Sequence, residues 1–348
     1  MTNAPDGGTV ASAAVRSSGA GEWMPWWAAG VLAAALWIQP ATAARAQGTP
    51  TLIKVPAVLM QQNASIEPSG VAWEATLKRY LIISDDTGTE VLKHEPWVFA
   101  MNSQGALDDV SVPIRGVSEI NDPESICNGP NGTLFICTSH SENKKGKTKP
   151  PRRQLLHLKL EGRALRVLGQ VDLTTAEDGK GGGLLAIAGV DPGGKLDIEA
   201  LTYRQDALLV GLKAPLTSGG AAVILRLATP AQALRAGRIG PGALTRFREV
   251  SLCASRPEGA IARGIADLLS LPDGSLVLCA NSPKGMTPDG GGALYWLKPG
   301  ASSPVLLHDF PGLKPEGVTL ADDGKGLVVV FDNDLSPPLW IRWPLPKQ

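Results

Sequence analysis

Four acidic residues recur at one place in a repeated pattern. Glu124 in PESICN, Glu199 in DIEALTY, Asp267 in ADLLSL and Glu316 in PEGVTL each head a short apolar run that leads into a turn, and Ser69 in PSGVAW holds that place in a fifth run. Carboxylates gathered in this way repel one another, and a bound cation, basic neighbours or raised pKa values must relieve the repulsion. A cation is the simplest relief. An all-oxygen set suits a hard ion, Ca²⁺ first and Mg²⁺ second, rather than zinc or copper. The competing role is structural, with each carboxylate accepting backbone N–H groups where its run begins.

After each turn a second apolar run ends in polar residues. These are Asp85 and Asp86, Ser139 and His140, Lys213, Asn281, and Asp332, Asn333 and Asp334. With a cation on the acidic positions to polarise a substrate, Asp85 or Asp332 could activate water and Lys213 could hold an anion. His140 could serve as the base instead, because an ordinary imidazole titrates near neutrality. Each has a plainer role as well: solvated strand ends for the aspartates, hydrogen bonds to Ser139 or Ser141 for His140, and a salt bridge to a ring carboxylate for Lys213. The sequence contains no G-x-S-x-G, H-E-x-x-H, P-loop or dinucleotide-binding glycine pattern, and its four histidines (His94, His140, His157, His308) carry no triad signature.

The elements that must position these residues come from an internal repeat. Five segments, beginning at Pro68, Pro123, Ile198, Ala266 and Pro315, share one plan: an apolar strand, a turn rich in Asp, Asn and Gly, and a second, more apolar strand. Two further strand-like runs lie between successive repeats, for example WVFAMN with DDVSVPI and LLHLKL with VLGQVDL. Four strands per unit is a propeller blade, so the predicted fold is all-β, a single β-propeller of about five four-stranded blades. The long spacing between the second and third repeats leaves room for a degenerate sixth. The last unit has only three candidate strands, and residues 51–59 (TLIKVPAVL) are predicted to complete it as an N-terminal closing strand. Inner strands line a propeller's axis, so Glu124, Glu199, Asp267 and Glu316 are predicted to ring one mouth of an acidic funnel.

The repeated E-G/A/S-aliphatic motif, in PESI, IEAL and PEGV, resembles bacterial propellers related to the phytase-like and esterase-like groups. DIEALTY followed by LLVGLKAPL, with CTSHS and a basic loop upstream, is similar to a bacterial family known only as a domain of unknown function, over most of residues 60–335. The phytase-like resemblance implies calcium ions on acidic channel residues, binding phosphate and activating water. Ser69 departs from the acidic pattern, and the rich ligand sets of phytases have no counterpart here. Two function classes therefore stand: a calcium-assisted hydrolase of a phosphoester, ester or lactone, and a non-catalytic propeller that binds a ligand or a protein.

Lys plus Arg and Asp plus Glu both total 33, and a zero formal charge excludes a general nucleic-acid surface. The basic residues do cluster locally: residues 141–153 (SENKKGKTKPPRR) hold six Lys or Arg against Glu142, either as a flap that attracts anions or as a solvated insertion. Residues 26–38 (WWAAGVLAAALWI) followed by A-x-A sites read as a signal peptide, since an apolar run of about 13 residues is short for a bilayer span. The predicted organisation is a leader over 1–46 and a propeller domain over 47–348. It implies a periplasmic or secreted monomer that meets the membrane only through its targeting segment and binds a small, anionic ligand. An oxidising compartment permits disulfides among Cys127, Cys137, Cys253 and Cys279, whose apolar surroundings equally suit buried thiols.

Overall fold

Tight turns that only a few residues can make fold this chain into hairpins. Gln205 and Asp206 both take positive φ (48° and 56°), as a two-residue reversal between right-twisted strands requires, and Gly274 (83°) and Gly324 (67°) do the same service in later repeats. The computed structural model describes residues 48–62, 66–85, 94–143, 145–256, 259–283, 291–332 and 337–346. The predicted leader, Asp86, Lys144, Asn333 and Asp334 lie outside the described residues.

The hairpins build a β-propeller of five blades. Their inner strands are Pro68–Glu74, Pro123–Asn128, Asp197–Arg204, Gly264–Ser270 and Lys314–Leu320, in blades 1 to 5. Each pairs antiparallel with a second strand: Arg79–Ser84, Thr133–Thr138, Ala207–Ala214, Leu276–Asn281 and Gly326–Asp332. The second strands are apolar almost without interruption because blades cover both of their faces, as in TLFICT and LVLCAN, every residue of which is buried. The outer strand Leu244–Val250 (LTRFREV) is buried only at its two ends.

Five hydrophobic clusters lie one between each pair of neighbouring blades. The cluster between blades 5 and 1 joins Val328, Val330 and Trp340 to Val71, Tyr80 and Ile82. The ring therefore closes on itself through side-chain packing. The segment 172–196, where a sixth blade had room, forms a 3-10 turn at Leu173–Thr175 and a short helix at Leu184–Ala188.

Two strands differ from expectation. DDVSVPI does not complete blade 1, which has three strands; its end, Ile114–Arg115, instead pairs in parallel with the outer strand Ala164–Val171 of blade 2. Pro113 within the run has no N–H to give a ladder, and its carbonyl accepts from Leu165 N. Residues 51–59 are not one strand either. Thr51 and Leu52 pair with Trp340 and Leu339 of blade 5, and a helix, Ala57–Gln62, follows Pro56, whose fixed φ suits a helix start. Cys127, Cys137 and Cys279 are buried thiols, whereas Cys253 is an exposed one.

Leu59 on that helix is 1% exposed and packs in the cluster between blades 5 and 1. Leu59→Ala is expected to lower unfolding free energy by about 2–5 kcal/mol in urea titration, the usual result of emptying a core leucine site. A change within about 0.5 kcal/mol, the size of an ordinary surface substitution, would show that this segment does not seal the ring.

Candidate metal centre

The five inner strands share one irregularity. Pairing with the second strand slips between Pro68 and Gly70, Pro123 and Ser125, Ile198 and Ala200, Ile265 and Asp267, and Pro315 and Gly317. The residue passed over is a β-bulge, which re-aims a side chain without ending the strand. In blades 1 to 5 it is Ser69, Glu124, Glu199, Ala266 and Glu316.

Asp267 thus stands one residue beyond the place that alignment on the turns gave it. Its equivalents are Gly70, Ser125, Ala200 and Gly317, at a level where neighbouring inner strands nearly touch: a Cβ on Gly317 would press on the backbone of Gly70 and Val71. Asp267 crosses this level. Ser125 Oγ donates to its Oδ1 at 3.0 Å and Val318 N–H to its Oδ2 at 2.8 Å, so its carboxyl ties blades 2, 4 and 5 together. The side chain is 1% exposed, and burial pushes its pKa up. Its donors are protein groups, and it belongs to neither carboxylate group described below.

Glu199 and Glu316 are joined by a cation of the chain itself. The second strand of blade 3 has its own slip, Asp197 pairing with Ala214 and Ile198 with Leu212, and the residue passed over is Lys213. Its Nζ lies 2.6 Å from Glu199 Oε2 and 3.6 Å from Glu316 Oε1. Burial acts to discharge this ammonium, but Glu199, Glu316 and Asp197 outweigh burial and hold its pKa well above the ordinary value. Gly264 makes room for the arrangement, since a Cβ there would collide with the Lys213 carbonyl.

Glu124 is in a different situation. It is 7% exposed, and among the described residues its carboxylate makes neither a hydrogen bond nor an ion pair. Burial pushes its pKa well up, and Asp122, Glu199, Asp85 and Asp197 all push the same way. It belongs to two carboxylate groups, one with Asp85 and Asp122 and one with Asp197 and Glu199, and within each group the candidate ligand oxygens lie within 4.8 Å of one another. That spacing fits ligands about 2.3–2.6 Å from one hard cation. The described residues can therefore hold a metal ion here, and every donor in the two groups is oxygen.

The remaining predicted site residues divide. Asp85 joins Glu124, whereas Asp332 lies 3.6 Å from Lys314 and adds negative potential at Glu316. His140 is not an available base. Its Nδ1 donates to the Thr138 carbonyl at 2.8 Å and its Nε2 accepts from Leu173 N–H at 3.2 Å, which fixes a neutral imidazole with both nitrogens engaged. The serines beside it bond each other at 2.9 Å rather than the imidazole.

Three residues of this centre escaped the sequence reading: Asp122, Asp197 and Arg152. The first two had a signal, because D-P-E and D-I-E place an aspartate two residues before Glu124 and Glu199. Arg152 looked like one more charge of the basic loop, but it is buried and its guanidinium donates to Asp122, Asn121, Ser139, Ser141 and the Ser141 carbonyl. The loop is therefore fastened at its base to a carboxylate of the centre.

No protein-family model matches the chain, and no curated protein sequence does. Solved structures align with the chain at low identity. An exo-β-1,3-galactanase from Phanerochaete chrysosporium crystallised with galactose is 9% identical, with 86% of this chain and 64% of that one covered and a TM-score of 0.47. A putative gluconolactonase is 12% identical over 85% of this chain and 98% of that one, with a TM-score of 0.39. The Malassezia sympodialis allergen Mala s 1 is 11% identical over 81% and 95%, with a TM-score of 0.45.

His140 supplies a test of the geometry. Burial lowers its pKa from 6.5 to about 4, with the Thr138 hydrogen bond and Asp172 opposing the drop. In the window between those values the unfolded chain binds a proton that the folded chain refuses, so this contribution is complete above pH 6.5 and lost towards pH 4. The loss is expected to be about 3 kcal/mol. His140→Gln should show a shallower fall in stability across that window than wild type when both are unfolded in urea. Equal slopes would mean that the imidazole is not held neutral.

Proposed function

We propose that the chain is an exported propeller whose funnel face holds a divalent cation on Glu124 with Asp85, Asp122, Asp197 and Glu199. The centre serves hydrolysis of a small anionic phosphoester, ester or lactone. One observation carries the reading: Glu124, a carboxylate more than nine-tenths buried, makes no hydrogen bond or ion pair among the described residues and faces four other carboxylates. A buried charge so placed must be protonated or matched by a cation. Ca²⁺ fits better than Mg²⁺, because an irregular set of carboxylates suits six to eight flexible oxygen contacts better than a strict octahedron rich in water.

When bound, the ion would polarise the substrate and acidify a bound water. The chain's own residues prepare the site. Lys213 fixes Glu199 and Glu316, Arg152 fixes Asp122, and Lys145 and Lys147 of the adjoining loop are exposed cations that draw anions towards the face. Export follows from the apolar stretch 26–38 with its A-x-A sites, and monomeric action on a small ligand from a site made within one ring. The resemblance to phytase-like propellers supports a phosphoester among the three substrate classes.

Glu124→Gln separates a metal ligand from a structural carboxylate. Without metal the variant should melt above wild type, since wild type must bury the Glu124 charge or take up a proton on folding and the amide does neither; with Ca²⁺ only wild type should be stabilised, by about 2.7 kcal/mol at a concentration 100 times Kd. A variant less stable than wild type and equally responsive to Ca²⁺ would make Glu124 structural. No response of wild type to millimolar Ca²⁺ or Mg²⁺, with no heat of binding, would overturn the metal centre. Turnover of p-nitrophenyl phosphate, p-nitrophenyl acetate or δ-valerolactone that is lost on chelation and restored by Ca²⁺ is the outcome for a hydrolase. A Ca²⁺ response without turnover would make the protein a binding propeller.

A further inference from the structure

The basic loop returns to the ring through PPRRQ, and that return builds one wall of a cavity of about 610 Å³. Pro150, Pro151 and Gln154 form this wall, Val117 and Glu119 face it from the segment that leads to Asp122, and Gln170 comes from the outer strand of blade 2. The two walls are tied together. Gln154 Nε2 donates to the Glu119 carbonyl at 3.1 Å, Asn121 N–H to the Pro151 carbonyl at 3.1 Å, and Arg152 Nη1 to Asn121 Oδ1 at 2.9 Å. The Gln154 backbone is itself held by Thr138, whose Oγ1 accepts from Gln154 N–H at 2.9 Å. A cavity so tied is formed before any ligand arrives.

Its polar lining is biased towards acceptors. Because Gln154 Nε2 is committed to a carbonyl, the amide cannot flip, and Oε1 must present an acceptor; that oxygen is buried and has no hydrogen-bond partner among the described residues. Glu119, whose carboxylate can only accept, and Gln170, whose carboxamide offers both a donor and an acceptor, also line the cavity. Pro150, Pro151 and Val117 add flat apolar surface. A small ligand site typically has this composition, apolar walls with a few fixed polar groups. The complementary molecule carries several hydroxyl donors on a compact carbon frame and no negative charge, which Glu119 would repel.

We infer that this cavity is a binding subsite for a neutral, hydroxyl-rich ligand of sugar or polyol type, with Gln154 as its main acceptor. The subsite adjoins the carboxylate centre through Arg152, which stands between Pro151 and Gln154 in sequence and reaches Asp122. Its occupancy does not depend on a cation at Glu124.

The test uses D-glucose, D-sorbitol and cellobiose as probes, each at 20 mM, with saturation-transfer difference NMR on the mature domain. Wild type is expected to transfer saturation to at least one probe, and Gln154→Leu to weaken that probe's binding at least tenfold in a titration. Ser118→Tyr, at an exposed lining position, should block binding by filling the cavity and guards against a folding defect in the glutamine variant. Glu124→Gln should bind the probe as wild type does, which keeps this result separate from that of the metal centre. No transfer to any probe from wild type, or transfer unchanged in both cavity variants, overturns the inference.

Discussion

Five strands meeting around one axis leave almost no room at their closest approach, and that constraint governs the rest of the molecule. At the tightest level the chain uses Gly70, Ser125, Ala200 and Gly317, with Asp267 bonding across to Ser125 and Val318 and Ser125 Oγ accepting from Leu201 N–H. One residue earlier, each inner strand carries a β-bulge. Three of the five bulged residues are glutamates. Charge is thus forced into a space too narrow to hydrate it fully, and the surroundings must supply what water cannot.

The chain supplies part of it. Lys213 sits between Glu199 and Glu316, and Arg152 holds Asp122. Both cations are themselves positioned by irregularities: Lys213 by a second bulge that Gly264 accommodates, Arg152 by a loop that folds back onto the inner-strand start. Glu124 receives no such partner among the described residues. The difference between Glu199 and Glu124, equivalent residues in neighbouring blades, is therefore the feature that separates a closed structural ion pair from a place where an external cation would be stabilised.

The repeated hairpins were legible in the sequence because their causes are local. Short apolar runs and positive-φ turn residues such as Gln205, Asp206 and Gly274 need no knowledge of the rest of the chain. The equivalence of Glu124, Glu199 and Glu316 was legible too, since each heads its inner run in an E-G/A/S-aliphatic motif, whereas the bulges that carry them were not. Asp267 was misplaced by one residue because Ala266 takes the bulge in blade 4, and a register slip leaves no mark in composition. His140 was misread for a non-local reason: the N–H that occupies its Nε2 comes from Leu173, 33 residues away. Residues 51–59 looked like one strand because their apolar content outweighed Pro56, which splits them into a short pairing and a helix.

The central claim is that Glu124 is ionised and cation-bound in the native protein, and diffraction can examine it directly. Crystals of the mature domain soaked in Mn²⁺ as an anomalous substitute for Ca²⁺ should show a peak about 2.1–2.6 Å from a Glu124 carboxylate oxygen, with further contacts from its acidic neighbours. The peak should vanish in Glu124→Gln crystals. A map with no anomalous density among Asp85, Asp122, Glu124, Asp197 and Glu199, and with Glu124 hydrogen-bonded as a neutral acid to one of these carboxylates, would contradict the account.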